Sequence, residues 1–214
     1  MAHDILLRMG RWLTWWSPAL YRPIGRLRGR EHYHLKNYDA WVGGFPRSSN
    51  TFTAKALARH VPELRVVSHV HLPPPIIQAV REGKPGLFVI RNPADAVVSW
   101  VQYSHFSVAH CLHYYCDFHR ALRPYVDRLL VARFEETTGN FEQVMRRFGA
   151  RFGLDVKPET PDMDCICREI DNMWRNEDGS VNEAQVARPS PEREAGRGDL
   201  HEKLRATARL RASL

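Results

Sequence analysis

Between Asp4 and Trp16 the apolar residues Ile5, Leu6, Met9, Trp12, Leu13 and Trp16 recur at helical spacing. At about 100° per residue they share one face, with Arg8 and Arg11 away from it. Leu7 and Trp15 fall outside this stripe, and Pro18 and Pro23 end it. Beyond this leader, short apolar runs alternate with longer stretches of helical period. Ala40 to Phe45 reads as a strand, Thr51 to His60 as a helix and Leu64 to Ser68 as a short strand. Pro74 to Glu82 reads as a helix and Leu87 to Ile90 as a buried strand. Pro93 suits the first turn of a helix carrying Val97, Val98 and Val101. A further helix is expected from about Val108 to Tyr125 and a strand from Leu129 to Phe134. Another helix should end near Phe152, with Asn140 as its cap and Phe141, Val144, Met145 and Phe148 on one face.

Strand and helix alternating in this way predict a three-layer α/β/α fold with a central parallel sheet. We expect one domain over residues 31–214, preceded by a basic amphipathic leader over residues 1–30. Residues 176–199, poor in apolar side chains, read as a flexible loop, and Leu200 to Leu210 as a basic C-terminal helix.

The chain has 214 residues, 43% hydrophobic and 26% charged, which excludes wholesale disorder. No apolar run approaches the roughly 20 residues that cross a bilayer. Arg8 and Arg11 interrupt what would be the apolar stretch of a secretory signal. Four cysteines (Cys111, Cys116, Cys165, Cys167) make no disulfide scaffold in a chain this long, so a cytoplasmic protein is expected. The net charge of +7 favours an anionic partner: a phosphorylated small molecule, a membrane surface or nucleic acid.

Two stretches carry chemistry. In Trp41-Val-Gly-Gly-Phe-Pro-Arg-Ser-Ser-Asn-Thr-Phe52 a strand enters a turn of small residues and then a helix. Backbone N–H groups at such a helix start, with the positive end of its dipole, hold an anion. Arg47 adds charge, and Ser48, Ser49, Asn50 and Thr51 add short donors. The loop is P-loop-like without being a standard P-loop, since Ser49-Asn50-Thr51 stands where Gly-Lys-Ser/Thr would. A bland strand–turn–helix connection is the alternative. In the second stretch, Leu87 to Trp100, a buried strand delivers Arg91 to the sheet edge where open parallel sheets bind ligands. Ser99 lies nearly two turns into the following helix, and pairing of Arg91 with Asp95 is the structural alternative.

Phe45-Pro46-Arg47-Ser48-Ser49-Asn50-Thr51 resembles the 5′-phosphosulfate loop of sulfotransferases that use 3′-phosphoadenosine 5′-phosphosulfate (PAPS). Arg91-Asn92-Pro93-x-Asp95-x-x-x-Ser99 is similar to their 3′-phosphate motif. His71-Leu72-Pro73 stands between, where these enzymes carry a His-Leu-Pro catalytic segment, and Ala132-Arg133-Phe134-Glu135 resembles their Arg-Tyr-Glu segment. Order and approximate spacing agree over roughly residues 40–155. The family loop usually has Lys at position 47, Gly at 49 and Thr at 50, and its C-terminal Arg-Lys-Gly loop has no close copy here. Arg188, Arg193 and Arg197 are the nearest substitutes.

The resemblance implies a PAPS-dependent sulfotransferase releasing 3′-phosphoadenosine 5′-phosphate (PAP), with no metal required. It makes His71 the general base, with His69 able to swap roles, and sets Arg47 at the bridging oxygen. Ser48, Ser49, Asn50 and Thr51 would hold the 5′-phosphate, and Arg91 and Ser99 the 3′-phosphate. Phe52 would stack on adenine or serve as an ordinary core residue. The acceptor is expected to be a small molecule, a glycan or a lipid, and no nucleic-acid partner is expected. The leader over residues 4–16 either packs on the core or lies at the inner face of a membrane. A small-molecule kinase is one competing reading, and a non-enzymatic basic protein binding nucleic acid or membrane is another. His110, His113, Cys116 and His119 form a helical stripe with ligand chemistry, for which helix packing is a better reading than zinc.

Overall fold

The computed structural model describes residue 15 and residues 37–104, 106–156, 161–180 and 196–212. Four strands, β1 (Ala40–Gly44), β2 (Val66–Val70), β3 (Gly86–Ile90) and β4 (Leu130–Arg133), form one sheet in the order β2-β1-β3-β4. Every pairing is parallel, with Val42 opposite Leu87 and Val89 opposite Ala132. The helices are α1 (Asn50–His60), α2 (Pro73–Arg81), α3 (Pro93–Ser104) and α4 (Val108–Leu122). After them come α5 (Phe134–Gly139), α6 (Phe141–Phe152), α7 (Met163–Met173) and α8 (Arg197–Ala212), with a 3-10 turn at Arg123–Arg128 before β4.

The layering follows from strand alternation. In β1, Trp41 faces one core and Ala40 and Val42 the other; in β3, Phe88 opposes Leu87 and Val89 in the same way. The first core is closed by α2, α3 and α4 through Ile76, Val97, Val98 and Phe118. The second is closed by α1, α6 and α7 through Leu57, Phe148 and Ile166. Parallel crossovers are right-handed, so a chain stepping one way along the sheet and then the other must put its helices on opposite faces. β1 steps through α1 to β2, whereas β3 steps through α3 and α4 to β4 on the far side. Strand order therefore reverses between β1 and β3, and a crevice opens at their C-terminal ends, where the loops after residues 44 and 90 begin.

The expected elements are present with ends shifted by a few residues. The helix expected from Val108 to Tyr125 stops at Leu122 and tightens into the 3-10 turn, because Pro124 cannot donate within a continued helix. Asn140 caps α6, its Oδ1 accepting from Gln143 N at 3.4 Å. Two helices, α5 and α7, lie outside the expected set. The C-terminal helix starts earlier than expected, at Arg197, inside the stretch read as loop. Of the leader, only Trp15 falls within the described residues. It is buried, edge-on to Tyr114 with ring centroids 4.9 Å apart, so at this residue core packing is observed. No described helix is long and apolar enough to cross a membrane.

Candidate active site

β1 ends on Gly44 because nothing larger fits: a Cβ there would lie 2.4 Å from the Val89 carbonyl oxygen and 2.8 Å from Asn50 Oδ1. The loop then turns sharply enough to place two non-glycine residues in left-handed backbone, Arg47 at φ 65° and Ser49 at φ 62°. Such conformations cost on the order of 1–3 kcal/mol each and cluster where backbone N–H groups are turned toward an anion. Ser49 thus adopts a conformation that glycine would take without strain.

Side chains from five segments hold the loop, namely Asn50, Thr137, Arg91, Ser99 and His71. Asn50, the first residue of α1, donates from Nδ2 to the carbonyls of Phe45 (3.0 Å) and Gly44 (3.3 Å). Its amide is therefore a bracket inside the turn. Ser49 does not cap its own helix; its hydroxyl lies 2.9 Å from Thr137 Oγ1 on α5, and Thr137 in turn donates to Phe134 O. The first turn of α1 has no acidic residue to compete for the positive end of the helix. Ser48 is fully buried, and its Oγ has no hydrogen-bond partner within the described protein.

The second motif meets the first at the crevice. Arg91 donates from Nη1 to the Arg47 carbonyl at 2.7 Å, and Arg47 donates from Nε to Ser99 Oγ at 3.2 Å. Each guanidinium also rests on an aromatic face: Arg91 Cζ is 4.1 Å from the Phe134 ring centroid, and Arg47 Cζ is 5.4 Å from that of Tyr103. Asp95 is engaged by Arg197 (3.3 Å) and His201 (3.3 Å) from α8. The acid of the motif thus serves to dock the C-terminal helix.

His71 directly follows β2, on the other side of β1 from Arg91. Its Nδ1 lies 3.0 Å from the Gly44 carbonyl and 3.3 Å from Asn50 Nδ2, the two nitrogens converging on that oxygen. A carbonyl only accepts, so Nδ1 carries a proton, and in the neutral ring the lone pair then lies on Nε2. This is the tautomer a base acting through Nε2 requires.

Arg47, Ser48, Ser49, Asn50, His71, Arg91 and Ser99 are therefore assembled around the ends of β1, β2 and β3, together with Thr51 at the start of α1. Phe52 is buried in the second core among Ala54, Leu57 and Phe141, the ordinary core position foreseen as its alternative role. Arg188 and Arg193 lie outside the described residues. The aromatic residues between Tyr103 and His119 hint in the sequence at an acceptor pocket, but the contacts made by Tyr103, Tyr114, Tyr115 and Thr137 cross 24 to 88 positions and no local pattern encodes them. Phe134 did leave a signal, since it stands in the Arg-Phe-Glu segment. Among the described residues no three His, Cys, Asp or Glu side chains gather to hold a metal.

No family model matches this sequence, and no curated protein does. Among solved structures, the chain resembles the crystal structure of mouse sulfotransferase SULT7A1 complexed with PAP. The alignment covers 77% of this chain and 83% of that one at 16% identity, with a TM-score of 0.46. At that level the likeness concerns the course of the backbone alone.

Proposed function

We propose that the protein is a sulfotransferase that moves a sulfuryl group from PAPS to a hydroxyl or amine acceptor. One observation carries this reading. Two arginines from motifs 44 positions apart are linked through Arg91 Nη1 and the Arg47 carbonyl, at the switch point of a parallel sheet and beside a left-handed loop. A bisphosphorylated nucleotide needs two cationic subsites at fixed separation, and a single phosphate would need only one.

The reaction proposed is a direct in-line transfer. The acceptor O–H attacks sulfur in line with the bond to the bridging oxygen. His71 Nε2 takes the acceptor proton as the new S–O bond forms. The old S–O bond breaks, and its electron pair stays on the 5′-phosphate of PAP, where Arg47 and the loop N–H groups stabilise the charge. Arg91 and Ser99 hold the 3′-phosphate and so fix the donor along the crevice. Positioning and electrostatics supply most of the rate in the related phosphoryl transfers, and the sulfuryl group carries less charge still.

Calorimetry with PAP, ADP and ATP, with and without Mg²⁺, tests the donor, and labelled PAPS against an acceptor panel tests the transfer. Tight PAP binding and label transfer abolished by His71→Gln are expected. A preference for ATP with Mg²⁺ would instead identify a kinase, and steeply salt-dependent binding with no preference for a small nucleotide would identify a charge-driven binding protein.

A further inference from the structure

The helix α4 does more than close a core. Its consecutive residues Tyr114 and Tyr115 reach two different strand ends: Tyr114 Oη donates to the His71 carbonyl at 3.2 Å, and Tyr115 Oη donates to the Arg91 carbonyl at 2.8 Å. His71 follows β2 and Arg91 follows β3, the two strands that flank β1. Neighbouring helical residues diverge by about 100°, which lets one dipeptide straddle the strand between them. The residue straddled is Phe45, the first of the loop, whose ring centroid is 5.9 Å from that of Tyr114 and 4.9 Å from that of Tyr115. A single turn of α4 thus grips three successive strand ends, at positions 71, 45 and 91.

We infer that Tyr114 and Tyr115 form a positioning clamp that sets the separation between the proton-accepting imidazole and the 3′-phosphate arginine. The assignment rests on the sulfotransferase reading above. The clamp is closely packed: Tyr115 is 9% exposed, burial raises its hydroxyl pKa to about 12, and its ring lies tilted against His119 with centroids 4.1 Å apart. Its proton therefore stays on the hydroxyl and on the Arg91 carbonyl throughout the working pH range. Tyr114 is itself braced edge-on by Trp100 at 4.8 Å and by Trp15 at 4.9 Å. Neither hydroxyl is needed for the packing, since phenylalanine would fill the same volume. Each is needed to tie one backbone carbonyl.

The two tyrosines hold different functional groups, so their loss should separate in kinetics. A neutral hydrogen bond contributes roughly 0.5–1.5 kcal/mol, which corresponds to a change of about two- to tenfold. Tyr114→Phe is expected to lower kcat by about that factor, to shift the acid limb of the pH–rate profile and to leave the Kd for PAP unchanged. Tyr115→Phe is expected to raise the Kd for PAP by a similar factor while leaving the pH profile in place. Tyr125→Phe, at a hydroxyl in the 3-10 turn after α4 that accepts from Arg81, is the control and should move neither. The His71 imidazole resonances, followed by nitrogen NMR with pH, give a readout independent of turnover and should move in Tyr114→Phe alone. Wild-type protein that binds no PAP overturns the sulfotransferase reading and the clamp with it. Wild-type protein that binds PAP, with both Tyr→Phe variants shifting kcat and Kd together or not at all, overturns the clamp and leaves the donor reading intact.

Discussion

Replacing Arg91 separates a phosphate ligand from a structural brace, because the residue does two things at once. Its Nη1 holds the Arg47 carbonyl at 2.7 Å, while its guanidinium lies over the Phe134 ring at the crevice. Truncation to alanine removes the brace for every ligand equally; a hydrogen bond of about 1 kcal/mol implies roughly a fivefold loss. Under the proposed assignment it also removes the charged contacts to a 3′-phosphate. A bidentate pair is worth about 3–6 kcal/mol gross, but the half-exposed position lets water screen and replace part of that, so about 2 kcal/mol, or roughly 30-fold, is the expected net loss. PAP should therefore weaken by about 150-fold in Arg91→Ala and adenosine 5′-phosphate, which lacks the 3′-phosphate, by only about fivefold. Arg91→Lys keeps the charge without the planar fork and should fall between. Isothermal titration of both nucleotides into the wild-type and variant proteins measures the ratio. Equal losses for the two nucleotides would refute the 3′-phosphate assignment and reduce Arg91 to a loop support.

Three other outcomes follow from the packing. Gly44→Ala forces a Cβ onto the Val89 carbonyl of a paired strand; overpacking of about 1–3 kcal/mol should lower Tm by several degrees in thermal unfolding, and an unchanged Tm would contradict the close approach. His119 is half-buried, and desolvation lowers its pKa despite the hydrogen bond from Nδ1 to the Tyr115 carbonyl. The unfolded chain then binds this proton more readily than the folded one. The contribution to stability is full above the ordinary imidazole value and is lost as pH falls toward the lowered one. Calorimetric scans from neutral to mildly acid pH should show wild-type Tm falling more steeply than that of His119→Gln, and parallel curves would defeat the argument. Burial pushes the Cys111 thiol up to about 11, whereas Cys116, one turn further along α4, is exposed. A disulfide reagent under native conditions should modify Cys116 and spare Cys111 until the chain unfolds, as peptide mapping would reveal.

The strands and helices around the site were readable because each has its own period and punctuation. Alternation in Trp41-Val42 and Phe88-Val89, Pro93 at a helix start and Asn140 at a cap are local signals, and the elements formed close to where those signals lie. The P-loop-like turn was legible too, since small residues between a strand and a helix permit little else. By contrast, α5 and α7 escaped. α5 is short and polar, with Thr137 its only buried residue, whereas α7 sets Met163, Ile166 and Ile170 against the second core at spacings of three and four. The signal for α7 was therefore present in the sequence, and α5 alone lacked one.

What the amino-acid order determined alone was the inventory: a parallel α/β chain, two cationic motifs and an imidazole between them. Whether those groups share one crevice was decided by topology. Arg47 and Arg91 meet because the sheet reverses its strand order between β1 and β3, and His71 joins them because β2 is the neighbour on the other side. The imidazole tautomer, the left-handed backbone at Ser49 and the reach of Tyr114 and Tyr115 all depend on partners distant in sequence. Local preference can choose an element, but only packing brings the ends of different strands within hydrogen-bonding distance.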